Sequence, residues 1–263
     1  MERLNLVRLG RSVGRSLKAS AIFLYGALEL ILKRPATREQ RAEWLHRFCG
    51  RVVRRMDIPA RVEGTFPERG IVISNHLGYL DIVAFAARQR CVFVSKAELA
   101  SEFLVGWMTT MAGSVYVERG RGGSAQRAKT DMEAAAEAGL PIVIFPEGTT
   151  GDGITILKFH SGLLSQVVEA GQPVTAAFIK YRLSEDNGPD VTLRDDVCFW
   201  RDDINLFRHV FRLLGLRGIE VSIRIADEPI VFTGSAADRR LLAAEARAAV
   251  MDLGGLRDAV RAR

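Results

Sequence analysis

Short runs of apolar, β-favouring residues alternate with stretches of helical spacing from residue 60 onward. The predicted strands cover residues 71–74, 91–95, 114–117, 141–145, 173–179 and 219–226. Helices are predicted near residues 80–88, 98–111, 124–138, 161–170 and 203–214, followed by a closing helix capped by Ser235 with Asp238. Strands that alternate with helices are typical of βαβ units, and strands that are apolar on both faces are typical of a buried parallel sheet. The pattern therefore predicts an α/β fold with a largely parallel sheet flanked by helices.

The first 35 residues combine a basic stretch with the short apolar run "ASAIFLYGALELIL", and Pro35 ends the predicted helix. The run is too short, and at Glu29 too acidic, for a membrane span, which takes ~20 apolar residues. No small-residue cleavage site follows, so a signal peptide is not predicted. The pattern favours a helix lying in the membrane interface, with a helix docked on the protein core as the alternative. The side chains expected on anionic headgroups are Arg3, Arg8, Arg11, Arg15 and Lys18.

A second helix is predicted to begin after Thr37, which forms a capping box with Gln40. Its apolar residues, from Trp44 to Met56, recur with helical spacing, and arginines cover much of the remaining surface. We interpret it as part of the same membrane-leaning helical pair, with a solvated charged face as the alternative for its arginines. The chain is therefore divided into basic amphipathic helices at 1–59 and an α/β domain at 60–263.

The distribution of charge supports an anionic partner for the N-terminal quarter of the chain. The 263 residues carry a formal net charge of +6, but residues 1–65 hold 14 Lys and Arg against 6 Asp and Glu. That asymmetry indicates a membrane surface rather than a nucleic acid, because the interleaved aromatic residues and motifs of nucleic-acid modules are missing. Cys49, Cys91 and Cys198 have no metal-ligand spacing, so they are interpreted as core residues in a reducing compartment, and no metal site is predicted.

Polar residues follow the predicted strands at the points where each strand ends. In open α/β sheets, ligands bind beyond the carboxyl ends of the strands, so these residues are expected to meet at one edge. This edge is the predicted active site. The residues concerned are Asn75 and His76, Lys96, Arg119, and Glu147, Gly148 and Thr149.

His76 and Asp81, in "NHLGYLD", have the spacing of a base and the carboxylate that orients it. Such general-base catalysis contributes ~10²–10⁴-fold. The alternative is that Asp81 caps its helix and His76 is a loop residue. The one G-x-S-x-G, "GRSVG" at 10–14, lies in a predicted helix rather than at a strand–turn–helix elbow, so a serine hydrolase is not favoured. A base without its own nucleophile indicates that the substrate supplies the hydroxyl.

"NHLGYLD" matches the N-H-x-x-x-x-D motif of the glycerolipid acyltransferases, the family that includes 1-acylglycerol-3-phosphate acyltransferases. "FPEGT" matches that family's third motif, and "GSVYVER", "VSKAEL" and "QPVTAAFI" resemble its other conserved segments in the right order. The resemblance covers roughly residues 65–185.

The resemblance implies transfer of a fatty acyl group from acyl-CoA or acyl-acyl carrier protein to a lysolipid hydroxyl, without another cofactor. By family analogy, His76 is the base and Asp81 orients it. The acceptor's anionic group is held by Lys96 and Arg119, and the remaining substrate-binding residues are Asn75, Glu147, Gly148 and Thr149. The family resemblance also implies a peripheral or monotopic location at the cytoplasmic face of the membrane and a role in phospholipid biosynthesis.

The acceptor is the least determined part of this prediction. The third motif often continues with an arginine, a natural phosphate clamp, but Thr150 stands there. "EGTTGDG" and the later "CFWRDD" resemble a branch that includes lyso-ornithine lipid acyltransferases. We expect 1-acyl-sn-glycerol-3-phosphate, converted to phosphatidic acid, with lyso-ornithine lipid as the alternative. A non-catalytic lipid-binding protein on the same fold is the second alternative.

Overall fold

The computed structural model describes residues 6–96, 106, 109–110, 112–117, 124–199 and 205–256. The described strands are β1 Ala60–Glu63, β2 Ile71–Ser74, β3 Val92–Lys96, β4 Val115–Val117, β5 Ile142–Ile144, β6 Val174–Leu183 and β7 Ile219–Ile225. The described helices are α1 Leu6–Lys33, α2 Arg38–Met56, α3 Tyr79–Arg88, α4 Ser124–Glu137, α5 Ser161–Glu169, α6 Leu193–Asp196, α7 Leu206–Leu214 and α8 Arg239–Leu253. The predicted helix near 98–111 lies largely outside the described residues.

The described strands form one mostly parallel sheet in the order β1-β7-β6-β2-β5-β3-β4. β2 lies at its centre, where Ile71 pairs with Ile142 of β5 and Ser74 pairs with Ala177 of β6. The one antiparallel pairing in the described sheet joins β6 to β7. The predicted α/β fold with a largely parallel sheet is therefore confirmed, and β2 ends in the middle of the carboxyl edge.

Alternate residues of the central strands point to opposite faces of the sheet, and each face carries its own apolar core. Val72, Val143 and Ile179 belong to the cluster on the face that α2 and α3 cover. Ile71, Ile142 and the neighbouring strand residues belong to the other cluster, which includes residues of α4, α5 and α8. Strands buried on both faces explain why their sequences are apolar without alternation.

Three elements differ from the prediction: one strand is longer, one strand was not predicted, and one helix has a different cap. β6 continues to Leu183 because its last residues pair with β7, beyond the end of β2. β1 is an edge strand that the apolar pattern missed, and it pairs with β7. The capping box predicted to start at Ser235 is wrong, because Asp238 itself is the N-cap of α8 and accepts from the Leu241 amide.

The second helix is part of the protein core. The predicted capping box is present, since Thr37 and Gln40 exchange hydrogen bonds at its start. Its apolar face is buried and packs against α3, and the buried residues are Trp44, Leu45, Phe48, Cys49 and Met56. This face is covered by protein, so the structure does not confirm that α2 leans on a membrane. The division of the chain at residue 60 stays a prediction.

Arginines of the first helix fasten it to the protein instead of pointing to headgroups as predicted. Arg8 pairs with Asp196 at 3.2 Å, Arg11 donates to the Gly215 carbonyl at 2.7 Å, and Arg15 donates to the Leu216 carbonyl. These carbonyls lie at the C-terminal end of α7, where the helix dipole attracts cations. At the other end of α1, the buried Glu29 accepts from Lys33 at 2.9 Å and from Arg51 of α2.

Docked in this way, α1 leaves a long apolar stripe exposed. The exposed residues are Leu6, Val7, Val13, Leu17, Leu24, Leu28, Ile31 and Leu32. Their spacing places most of them on one side of the helix, opposite the face that packs on α2 and α7. Among the described residues, no helix is both long enough and apolar enough to cross a membrane.

Candidate active site

The predicted base and its carboxylate meet directly after β2. The His76 Nδ1 atom lies 2.7 Å from Asp81 Oδ2, and the Asp81 side chain is fully buried. The same oxygen accepts from the amides of Leu77 at 2.6 Å and Gly78 at 3.1 Å. Because a carboxylate accepts, His76 carries its proton on Nδ1, which leaves the Nε2 lone pair available as a base. Asp81 thus both orients His76 and caps the start of α3.

Phe145 brings the third motif, "FPEGT", against the first. Its ring stacks on the His76 imidazole, with ring centroids 4.1 Å apart and an angle of 12° between the planes. Phe145 in turn packs against Phe85 and Phe93 of the core. The imidazole is therefore held at its edge by the Asp81 carboxylate and on one face by the Phe145 ring. Of its side chain, 18% is exposed.

Glu147 ties the two motif loops together. Its Oε1 accepts from the His76 amide at 2.8 Å, and its Oε2 accepts from the Leu157 amide at 2.7 Å. The carboxyl group is buried, and this burial raises the pKa of Glu147, although the two amide bonds act in the opposite direction. Glu147 therefore supports the catalytic loop through two backbone amides, and its predicted substrate contact stays a prediction. A further bond, from the Gly151 amide to the His76 carbonyl at 2.7 Å, strengthens the same junction.

Asn75 continues the sheet beyond the end of β2. Its amide nitrogen donates to the Ile179 carbonyl at 2.9 Å, and its oxygen accepts from the Ile179 amide at 2.8 Å. The side chain is buried and satisfies one backbone donor and one acceptor of β6, as another residue of a strand would. These bonds give Asn75 a structural role, and its predicted substrate contact stays a prediction.

The comparisons with known proteins agree with this geometry. An acyltransferase family model matches residues 53–180. A lyso-ornithine lipid O-acyltransferase of Pseudomonas aeruginosa is 35% identical over 79% of this chain and 75% of that protein. The chain belongs to the acyltransferase family. A 1-acyl-sn-glycerol-3-phosphate acyltransferase of Neisseria meningitidis is 28% identical over 57% of this chain and 62% of that protein.

A solved structure supports the same family fold. The crystal structure of the 1-acyl-sn-glycerophosphate acyltransferase PlsC from Thermotoga maritima matches with a TM-score of 0.62. The match covers 96% of both chains at 19% identity. The family model and the Pseudomonas relative confirm the resemblance drawn from the sequence motifs and the expectation of an acyltransferase.

Of the other predicted site residues of this acyltransferase, the structure describes Gly148, Thr149 and the backbone of Lys96. Gly148 turns the loop after β5 with φ at +64°, a conformation that suits glycine, and the neighbouring Thr149 is exposed at the surface. Lys96 ends β3, where its backbone pairs with Val117, and its side chain lies outside the described part of the structure. Arg119 also lies outside the described residues. Within the described ranges, no group of three or more His, Cys, Asp or Glu side chains is placed to hold a metal ion.

Two residues near the site were missed by sequence reasoning. Tyr181, on β6, is buried, and its hydroxyl donates to Asp81 Oδ1. His209, on α7, donates from Nε2 to the Cys198 carbonyl at 3.1 Å, and its Nδ1 accepts from the Tyr79 hydroxyl at 3.0 Å. Tyr181 is 100 positions from Asp81 and His209 is 130 positions from Tyr79, and no local pattern marks either residue.

Phe199, which follows Cys198, also supports the catalytic loop. The Phe199 amide donates to the Leu77 carbonyl at 2.8 Å, next to the residues that bind Asp81. Phe199 also packs against Tyr79 and His209. The loop from His76 to Tyr79 is thus held by contacts from β6, from the loop after β5 and from α7.

Proposed function

We propose that His76 is the general base with which this acyltransferase activates the hydroxyl of a lysolipid. The observation that carries this proposal is the bond from His76 Nδ1 to the buried Asp81, which leaves Nε2 as the accepting atom. Nε2 takes the proton of the acceptor hydroxyl as its oxygen attacks the thioester carbonyl carbon. The tetrahedral intermediate then collapses, the carbon–sulfur bond breaks, and the thiolate leaves with the proton that His76 had taken. The ester and the free thiol are the products, and no cofactor beyond the thioester is needed.

The geometry favours this reaction over the two alternatives. A lipid-binding protein has no use for an imidazole that is held in one tautomer by a buried carboxylate. A serine hydrolase needs its nucleophile beside the base, but Ser12 of "GRSVG" is buried in α1, where α1 packs on α7.

Two acceptors are proposed, each for its own reason. The Pseudomonas relative is named for lyso-ornithine lipid, and Thr150 replaces the arginine that often follows the third motif. The Neisseria relative is named for 1-acyl-sn-glycerol-3-phosphate, and Lys96 and Arg119 are the cations to which the family resemblance assigns the acceptor's anionic group. Both acceptors present a hydroxyl to the same base, so the choice between them leaves the mechanism unchanged. The donor is proposed to be acyl-CoA or acyl-acyl carrier protein.

We further propose that the apolar stripe of α1 rests on the cytoplasmic face of a membrane. Leu17, Leu24, Leu28 and Ile31 are exposed on one side of the helix, and Lys18 is exposed beside them. Full burial of one such apolar side chain in the membrane interface favours membrane binding by ~1.5–3 kcal/mol. Since Arg8, Arg11 and Arg15 fasten the opposite side of the helix, the stripe faces outward without further rearrangement.

The test is acyl transfer by the purified protein in detergent, with radiolabelled donors and both acceptors offered side by side. His76→Ala is expected to lower transfer at least a hundredfold, in line with the ~10²–10⁴-fold contribution of a general base. His160→Ala, at an exposed histidine before α5, is the matched control and is expected to keep wild-type transfer. Substantial turnover by folded His76→Ala would contradict the assigned role. Transfer to one acceptor alone would identify the substrate.

A further inference from the structure

The Asp81 carboxylate receives hydrogen bonds from two directions. Its Oδ2 accepts from His76 Nδ1 and from the amides of Leu77 and Gly78, all in the loop that follows β2. Its Oδ1 accepts from the hydroxyl of Tyr181, which stands on a different strand. Tyr181 lies one residue beyond the segment that the family model matches, which ends at residue 180.

The register of β6 explains why this hydroxyl reaches the carboxylate. Ser74, at the end of β2, pairs with Ala177, and the Asn75 amide then pairs with the backbone of Ile179. Residues 177, 179 and 181 share one face of the sheet because side chains alternate along a strand. β6 thus extends past β2 and brings Tyr181 against the loop that carries the catalytic pair.

The Tyr181 hydroxyl donates throughout the working pH range of the enzyme. Burial and the Asp81 charge raise the pKa of Tyr181 well above its usual value, so the phenol stays protonated. A donor on a buried carboxylate draws negative charge toward itself and weakens the carboxylate as an acceptor for other groups. The bond at Oδ1 therefore opposes the bond at Oδ2 that stabilises a protonated His76.

We propose that Tyr181 is a positioning residue that, through Asp81, sets the basicity of His76. This inference rests on the proposed role of His76 as the base. With Tyr181 in place, Asp81 orients the imidazole while part of its negative charge is drawn toward the phenol hydroxyl. Without the hydroxyl, the full carboxylate charge acts on His76, and the protonated form persists to higher pH.

Tyr181→Phe removes the hydroxyl and keeps the ring in the core. The expected result is a rise of about half a unit to one unit in the His76 titration midpoint, measured by NMR of the imidazole ring. The signal is assigned by its loss in His76→Ala. The acidic limb of the kcat/KM profile should move by the same amount, which lowers activity about three- to tenfold at a pH on that limb. The plateau value of kcat/KM at high pH should stay within about twofold of the wild-type value.

Tyr79→Phe is the matched control, because it also removes a hydrogen-bonded hydroxyl beside the same loop. That hydroxyl binds His209 and not Asp81, so the His76 midpoint should stay in place. Other groups that face the pair are Glu147 and Cys198, whose carboxyl and thiol pKa values burial raises, and both are present in wild type and variants alike. In an Asp81→Asn background, Tyr181→Phe should no longer move the midpoint, because the charge through which it acts is gone.

A second replacement keeps the fold and shifts the His76 titration midpoint in the opposite direction. 3-Fluorotyrosine placed at position 181 alone has a more acidic phenol and donates more strongly, so the His76 midpoint should fall. An unchanged midpoint in both Tyr181 variants, or an equal shift in Tyr79→Phe, would overturn the inference. The NMR titration needs no turnover. A protein that shows the predicted shifts without any acyl transfer would therefore contradict the proposed function while leaving the role of Tyr181 intact.

Discussion

Glu147→Gln is expected to loosen the catalytic loop and displace the His76 backbone, while the bond between the His76 and Asp81 side chains is kept. The two carboxylate oxygens of Glu147 each accept one backbone N–H, from His76 at 2.8 Å and from Leu157 at 2.7 Å. Glutamine has one carbonyl oxygen, so its amide nitrogen must face one of these two donors. A part-buried backbone donor is then left without an acceptor.

The size of the effect follows from that single lost acceptor. Leaving a buried donor unsatisfied costs ~1–3 kcal/mol, with more for bonds to charged groups. Burial raises the pKa of Glu147, so the charged form is already disfavoured, and we expect a loss of about 2 kcal/mol. In a chain of this size, 1 kcal/mol shifts Tm by about 2–4 °C, which gives a decrease of about 4–8 °C.

The assay is calorimetric unfolding together with acyl-transfer kinetics on the same preparation. Asp152→Asn is the matched control, because Asp152 accepts both of its amide bonds, from Ile154 and Thr155, on Oδ1, and asparagine keeps that oxygen. The control is expected to keep Tm within about 1 °C of the wild type. Glu147→Gln should lower kcat through the displaced His76 backbone and leave KM for the lysolipid unchanged. A wild-type Tm with a raised KM would refute the reasoning and return Glu147 to the acceptor site.

Three further predictions concern other parts of the molecule. Asn75→Leu removes both bonds to the Ile179 backbone and should lower the free energy of unfolding in urea by about 2–4 kcal/mol, whereas a raised KM at wild-type stability would indicate substrate contact instead. Burial lowers the pKa of His209, so its contribution to stability is present above about pH 6.5 and is lost as the pH falls toward the lowered value; calorimetry should show a smaller drop in Tm between pH 7.5 and pH 5.5 in His209→Gln than in the wild type. The double variant Leu24→Ser and Leu28→Ser should lower the affinity for anionic vesicles, measured by co-sedimentation, at least tenfold. Val231→Ser, at a side chain outside α1 that is 88% exposed, should leave that affinity unchanged.

The sheet and the catalytic pair were predictable because their signals are local. Strands buried on both faces are apolar without alternation, and the predicted runs at 71–74 and 219–226 agree with β2 and β7 to within one residue. His76 and Asp81 are five positions apart, so a short loop and the first turn of α3 are enough to bring them together. The family motifs are local in the same sense.

The two N-terminal helices were predicted as helices, but their surroundings were not. Amphipathic spacing identifies an apolar face without saying whether protein or lipid covers it. In α2 that face is buried against α3, whereas in α1 the stripe remains exposed and the arginines bind the end of α7. The partner of a charged side chain depends on which helix end folds next to it, and Arg11 is 204 positions from the Gly215 carbonyl that it binds.

The sequence by itself determined the α/β class, the strand ends that carry polar groups, the His76–Asp81 pair and the acyltransferase family. The tertiary structure decided what each polar group does there. Asn75 and Glu147 look like substrate ligands in a motif, but β6 and the loop at Leu157 supply backbone partners that bury them. Tyr181 carries no motif, yet the register of β6 places its hydroxyl on Asp81. The physical reason is that sequence periodicity reports which face of an element is apolar, while hydrogen-bond partners depend on contacts between elements far apart in the chain.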